Sequence, residues 1–336
     1  LRTLLQEGLN GVPGKVEAGA PKHFSSAAGQ IVNFLGTMQN EWAGAQAFSS
    51  FDTYMAPYIR KDNLPYEEVL QSIQELIYNL NVPSRWGTQT PFTNLTFDWV
   101  CPEDLRNQHP VIAGEEQPFT YGELKPEMDM INRAYIEVMM KGDSKGRVFT
   151  FPIPTYNITK DFDWDSPNTL LLFRMTAKYG LPYFQNFINS DLKPNMIRSM
   201  CCRLRLDLRE LRKKSGGFFG SGESTGSVGV VTINLPRIAI LANKNIDWFF
   251  SELDRKIDLV VEQLLERFEI QAKKKVHNYP FLMGEGVWID SEKLNYDDEV
   301  REVLKHGTLS VGFIGLAEAL KALLGVHHGE SEIAQN

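Results

Sequence analysis

Apolar residues recur at three- and four-residue intervals across residues 25–58, through Ile31, Phe34, Leu35, Met38 and Trp42. That spacing lays one face of a helix against a core, and it predicts a buried helix with Ser25 or Ser26 as its N-cap. A second helix opens at Pro65 with Glu67 and Glu68 in its first turn, runs through Val69, Ile73, Leu76, Ile77 and Leu80, and is stopped by Pro83. Helical spacing returns over residues 124–140 and 169–179, and over 245–276 with Phe249, Leu253, Ile257, Val260, Leu264 and Phe268 on one face. Between these segments, short apolar runs bounded by turn residues, at 95–100, 147–153 and 228–234, read as strands. Strands alternating with helices of this length predict an α/β fold on a parallel sheet, open or closed into a barrel. The one segment rich in Gly and Ser, residues 215–227, sits inside that order, so the chain reads as a single domain over 1–336.

Composition narrows the class. The 336 residues are 43% hydrophobic and 23% charged, with no run of 18 apolar residues and no signal-peptide pattern at the start, so neither a membrane span nor export is expected. The net charge of −7 argues against a general nucleic-acid surface. Three cysteines provide neither a disulfide framework nor metal-ligand spacing, which fits a reducing cytoplasm and no metal site in these residues.

Four segments could carry chemistry. Cys201 and Cys202 lie among Arg198, Arg203 and Arg205, which would favour a thiolate, although adjacent cysteines are commonly small inert core residues. The glycine-rich run 216–227 lacks the Gly-Lys-Ser/Thr ending of a phosphate loop and precedes a strand, so a flexible or partner-contacting loop is the plainer reading. From His306 to Glu318 an extended run passes through Gly312 and Gly315 into an amphipathic helix, whose free N–H groups could hold an anion, though glycines at such a join also serve close packing. Residues 152–159, with Asn157 among them, read as the polar end of a strand, where α/β folds place their sites; a plain turn explains the prolines equally well.

Several ordered motifs then point to a family. They are Arg85-Trp86-Gly87-Thr88-Gln89-Thr90-Pro91-Phe92-Thr93-Asn94-Leu95-Thr96-Phe97-Asp98, Phe151-Pro152-Ile153-Pro154-Thr155-Tyr156-Asn157-Ile158-Thr159, Ser199-Met200-Cys201-Cys202-Arg203-Leu204 and Gly312-Phe313-Ile314-Gly315-Leu316-Ala317-Glu318. In these the sequence resembles the anaerobic (class III) ribonucleoside-triphosphate reductases along its whole length.

The resemblance implies a glycyl radical enzyme built on a ten-stranded α/β barrel, with a finger loop carrying a cysteine into its centre. A thiyl radical there takes the 3′-hydrogen of a ribonucleoside triphosphate, water leaves from C2′, and the 2′-deoxyribonucleotide results, with formate or a redoxin as reductant. Cys202 is expected to carry the radical, with Cys201 as the alternative. Substrate contacts are expected at His23, Ser25, Ser26, Asn157, Met200 and Asn234, and at Thr308, Ser310, Gly312, Phe313, Ile314 and Gly315 for the triphosphate. The family is an allosteric homodimer, and Gln39, Asn40 and Gln46, read as lying on one polar helix, are candidates to bind a dNTP effector across the dimer axis; the alternative is that they hydrogen-bond within a core helix. Two other readings stay open: a glycyl radical enzyme of the pyruvate formate-lyase type, and an inactive nucleotide-binding module.

The sequence also departs from the pattern. It has no Arg-x-x-Gly-Tyr radical signature, none of the four cysteines of the zinc site near it, and no N-terminal ATP-cone. The chain therefore reads as the central part of a longer protein. The glycyl radical, installed by an S-adenosylmethionine iron–sulfur activating enzyme, and the zinc are expected outside these residues.

Overall fold

The computed structural model describes residues 1–9, 16–82, 90–190, 197–200, 204–207 and 225–336, of which 197–200 and 204–207 by backbone alone. The chain forms two compact units, residues 1–223 with 280–285, and residues 224–279 with 286–336.

The first unit runs α1 (Arg2–Glu7), α2 (Phe24–Met38), β1 (Gln46–Phe48), α3 (Phe51–Asp62), α4 (Tyr66–Asn81), β2 (Thr93–Phe97), β3 (Val111–Ile112), β4 (Glu115–Glu116), α5 (Lys125–Lys141), β5 (Ile153–Ile158), α6 (Pro167–Tyr179), β6 (Tyr183–Asn186), β7 (Ile197–Met200) and β8 (Leu204–Asp207). Strands β1, β2, β5 and β6 form one parallel sheet in that order. β7 and β8 form an antiparallel hairpin, and β7 lies against β1. Helices start where the side chains supply caps: Ser166 accepts the amide of Thr169 ahead of Pro167, and Thr120 and Glu123 form a capping box just before α5. The core packs α3 and α5 on one face of the sheet, with Phe97 stacked on Tyr156 at 4.7 Å and flanked by Phe51 and Tyr135.

The second unit runs β9 (Ser227–Asn234), α7 (Leu235–Ala242), α8 (Ile246–Ala272), α9 (Arg301–Leu304), β10 (Thr308–Ile314), α10 (Leu316–Leu324) and α11 (Glu332–Gln335). β9 and β10 pair in parallel from Ser227 opposite Thr308 to Asn234 opposite Ile314. Ile233, Leu235, Ile238, Phe249, Val260, Leu264 and Leu323 form its core. Asn234 and Asn245 cap α7 and α8 by accepting the amides of Arg237 and Trp248, both at 3.0 Å.

The mixed α/β architecture is the one expected, and the helices predicted from Pro65 to Pro83, over 124–140, 169–179 and 245–276 and after Gly315 are present. Three local expectations are corrected. Residues 25–58 are not one helix: α2 ends at Met38, β1 follows, and α3 begins at Phe51. The Gln46 side-chain amide donates to the carbonyl of Leu35 at 2.9 Å, while its backbone pairs with β2. Apolar spacing cannot register a strand partner 47 residues away. The N-cap of α2 is His23, not Ser25 or Ser26. Residues 147–152 are not a strand either. Asp143 accepts the amides of Lys145 and Arg147, both at 2.9 Å, and Asn81 grips the backbone of Phe151, so the strand starts only at Ile153, after Pro152, and contains Pro154.

Candidate active site

Strand register divides the side chains of the four-stranded sheet into two faces. Phe48, Leu95, Phe97, Pro154, Tyr156 and Phe184 share the face that packs on the helices. The opposite face carries Asn94 and Thr96 from β2, Asp98 just after it, Thr155 and Asn157 from β5 and Gln185 from β6. All six are buried. A buried parallel sheet is ordinarily apolar on both faces, so a continuous polar face toward its carboxyl ends marks a site rather than a core.

The side chains of this face are tied together. Asn94 donates to Thr155 Oγ1 at 3.0 Å, and Asn157 donates through Nδ2 to Asp98 Oδ1 at 3.0 Å. Thr53 Oγ1 donates to the other Asp98 oxygen at 2.6 Å. Asp52 lies behind Asp98, fully buried, and burial holds its carboxyl above the ordinary range against the opposing hydrogen bonds from Asn132 and from the amides of Asp98, Trp99 and Thr53. Asn157 Oδ1 is buried without a hydrogen-bond partner. Buried polar atoms are ordinarily satisfied, so a bare acceptor at the carboxyl end of β5 is the kind of group a ligand hydroxyl completes.

The hairpin β7–β8 brackets residues 201–203 and sets its first strand beside β1, the edge of the same sheet. Cys201 and Cys202 themselves lie outside the described residues, as do the side chain of Met200 and most of the glycine-rich run, residues 216–224. Cys101 is a different kind of thiol. It is buried, and burial together with the Asp98 charge pushes it up to about 12.

In the second unit the structure brings Asn234 beside Ile314, at the paired carboxyl ends of β9 and β10. Gly315, at φ +80°, begins α10, as the sequence predicts for the join. Gly312 does not lie at the helix start; it pairs with Thr232 inside β10. Ser310 and Gly312 share the face turned away from the packed helices with Val230 and Thr232, whereas Phe313 alternates to the other face. Thr308 precedes a register shift at the start of β10.

The remaining candidates are spread over the first unit. His23 precedes α2, with Nδ1 at 2.8 Å from Asp62, and Ser25 and Ser26 are exposed in the first turn. Gln39 and Asn40 follow α2, and Gln46 is in β1, so these three do not share a helix. Among the described residues no cluster of His, Cys, Asp or Glu could hold a metal ion, and no helix is long and apolar enough to cross a membrane. Sequence reasoning missed Asn94, Thr96, Asp98, Thr155, Gln185 and Asp52. The signal was the two-residue alternation of polar and apolar side chains through Asn94-Leu95-Thr96-Phe97-Asp98 and Thr155-Tyr156-Asn157-Ile158.

The family model of anaerobic ribonucleoside-triphosphate reductase matches residues 1–336. The chain belongs to that family. It is 24% identical over 361 aligned residues to the anaerobic ribonucleoside-triphosphate reductase of Escherichia coli strain K12, covering 98% of this chain and 46% of that protein. To the enzyme of the same name from phage T4 it is 23% identical, covering 97% and 54%. Among solved structures, the anaerobic ribonucleotide reductase from Thermotoga maritima in complex with dATP and CTP superposes with a TM-score of 0.65 at 20% identity, over 96% of this chain and 50% of that one. The fold is therefore shared with that reductase. The chain spans about half the length of the curated relatives it matches.

Proposed function

We propose that the protein reduces ribonucleoside triphosphates to 2′-deoxyribonucleoside triphosphates under anaerobic conditions, supplying DNA precursors. The observation that carries this reading is the unbroken family match over residues 1–336. The same match supports treating the two compact units as parts of one catalytic domain on the family's ten-stranded barrel.

A glycyl radical, installed by an S-adenosylmethionine iron–sulfur activating enzyme and residing outside these residues, supplies the oxidising equivalent that converts a cysteine thiol into a thiyl radical. The described residues that fit this chemistry are the β7–β8 hairpin bracketing Cys201 and Cys202, whose first strand lies against β1, and the polar face of the sheet to which β1 belongs. Cys202 takes the 3′-hydrogen of the ribose, and Cys201 is the alternative carrier. Asn157 contacts the sugar, with His23, Ser25, Ser26, Met200 and Asn234 as further contacts. The triphosphate is held at Thr308, Ser310, Gly312, Phe313, Ile314 and Gly315, where backbone amides serve better than added charge on a chain of net −7. The reductant is formate or a redoxin, and zinc belongs to a region outside these residues.

The functional protein is a cytoplasmic homodimer controlled by ATP and dNTP effectors. Gln39, Asn40 and Gln46 contribute to a deoxynucleotide site between subunits. The Thermotoga maritima reductase with dATP bound in the specificity site supports such a second nucleotide site, and here Gln46 Oε1 is buried without a partner. Sedimentation with and without deoxynucleotide tests the assembly: tightening of the dimer by effector is expected, and a monomer under all conditions contradicts it.

The activity is tested by incubating the complete protein anaerobically with its activating enzyme and each ribonucleoside triphosphate. Formation of the matching 2′-deoxyribonucleotide is expected. Binding of nucleotides without any deoxy product would instead fit an inactive nucleotide-binding module.

A further inference from the structure

Asp52, in the first turn of α3, is fully buried and accepts hydrogen bonds from the amides of Thr53 (3.1 Å), Asp98 (2.8 Å) and Trp99 (2.9 Å) and from Asn132 Nδ2 (3.0 Å). Two of those donors hold the chain immediately after β2, where Trp99 takes φ +65°. A bulky side chain in that left-handed conformation is strained and persists only where its surroundings fix it. The turn sets the Asp98 carboxylate between Thr53 Oγ1 at 2.6 Å and Asn157 Nδ2 at 3.0 Å. A carboxylate only accepts hydrogen bonds, so the Asn157 amide must keep its NH2 toward Asp98 and turn its carbonyl oxygen away. That oxygen is the buried atom left without a partner, on a residue only 4% exposed. Its donor end is committed and its acceptor end is bare.

We propose that Asp98, with Asp52 behind it, is a positioning residue that fixes Asn157 as a hydrogen-bond acceptor for one sugar hydroxyl of the bound nucleotide. This inference rests on reading the polar sheet face as part of the ribonucleotide site. It makes the site selective by donor direction. A ligand presenting O–H meets its partner, whereas one carrying fluorine in place of that hydroxyl sets acceptor against acceptor.

The test is equilibrium binding to the full-length protein, without radical activation, of a ribonucleoside triphosphate and its 2′-fluoro and 3′-fluoro analogues. Wild type is expected to bind one of the two analogues weaker than the parent by roughly tenfold or more, the effect of leaving a buried acceptor facing a group that cannot donate. In Asp98→Asn the facing side chain can donate as well as accept, so the Asn157 amide is free to rotate and the discrimination falls to within about twofold. Asn157→Ala, which removes the acceptor altogether, gives the same loss and decides the matter if Asp98→Asn does not fold. The inference is overturned if wild type binds both analogues as tightly as the parent, or if either variant discriminates as wild type does. Failure of the full-length protein to bind any ribonucleoside triphosphate would overturn the nucleotide reading itself, and this inference with it. Nucleotide binding without discrimination would overturn the positioning role alone.

Discussion

Asn157 Nδ2 lies 3.0 Å from Asp98 Oδ1, joining the penultimate residue of β5 to the residue that follows β2. These two strands are neighbours in the parallel sheet, so the contact closes the carboxyl end of its polar face. Side-chain hydrogen bonds replace apolar packing there. The face is thereby rigid as well as polar, which is what a substrate-positioning surface requires.

The support for this face is concentrated in Asp52. Replacing it with Ala leaves the buried amides of Thr53, Asp98 and Trp99 without an acceptor and Asn132 Nδ2 with the Met128 carbonyl alone, and should destabilise the protein by roughly 3–5 kcal/mol, read by urea denaturation. Burial raises the Asp52 carboxyl above its ordinary 3.8. Its stabilising contribution is therefore complete below that value and is lost as pH rises through the folded-state value. The gap between wild type and Asp52→Ala should be wider at a pH below 3.8 than at pH 8. A gap that widens with pH would contradict this assignment.

The join between β10 and α10 makes a contrast between two glycines. At Gly315 a Cβ would lie 2.3 Å from Pro236 Cγ on a backbone at φ +80°, whereas at Gly312 its nearest neighbour would be Thr232 Oγ1 at 3.4 Å. Gly315→Ala should cost about 2 kcal/mol or more and Gly312→Ala less than about 1 kcal/mol. Thermal denaturation of the two variants checks the order. Equal losses would show that the turn at Gly315 yields freely.

Much of this framework is written in the sequence. The spacing of Val69, Ile73, Leu76, Ile77 and Leu80 gives α4, and the β-branched run before Asn234 gives β9, because burial of one periodic face dominates both. The break between α2 and α3 is not legible. It depends on β1 pairing with β2, a contact between segments far apart in the chain. Asn157 could be picked out as a polar residue near a strand end, but Asp98 and Asp52 could not, since their role comes from a left-handed turn at Trp99 that no local pattern announces. The extended run through Gly312 into a helix at Gly315 is legible, but where strand gives way to helix is not, since the two abut without a polar break and only the pairing of β10 with β9 marks the strand's end at Ile314.

Cysteine reactivity should mark Cys101 as a buried, inert thiol. With its thiol pushed up to about 12, only about one Cys101 in 10,000 is thiolate at pH 8. Iodoacetamide on the native protein at pH 8 should leave Cys101 unmodified in peptide mass spectra and label it only after denaturation. Rapid native labelling at Cys101 would refute its burial.

Glu41 anchors residues 280–285 to the first unit by accepting the amides of Phe281 (3.0 Å) and Leu282 (2.7 Å). Phe281 also packs edge-on against Phe34 at 5.3 Å. Glu41→Ala should speed hydrogen exchange at those two amides by roughly tenfold or more while the amides of β2 exchange as before. Unchanged exchange at Phe281 and Leu282 would assign their protection to ring packing instead.

The most direct measurement compares wild type with Cys202→Ala and Cys201→Ala in the full-length protein. Each is activated anaerobically, given a ribonucleoside triphosphate with reductant, and assayed for 2′-deoxyribonucleotide by mass spectrometry. The change removes one sulfur and little packing, so nucleotide binding should survive in both variants. Wild type should form the deoxyribonucleotide and Cys202→Ala should form none while still binding substrate. Product from Cys202→Ala at a rate near wild type, or no product from activated wild type with substrate bound, would contradict the account.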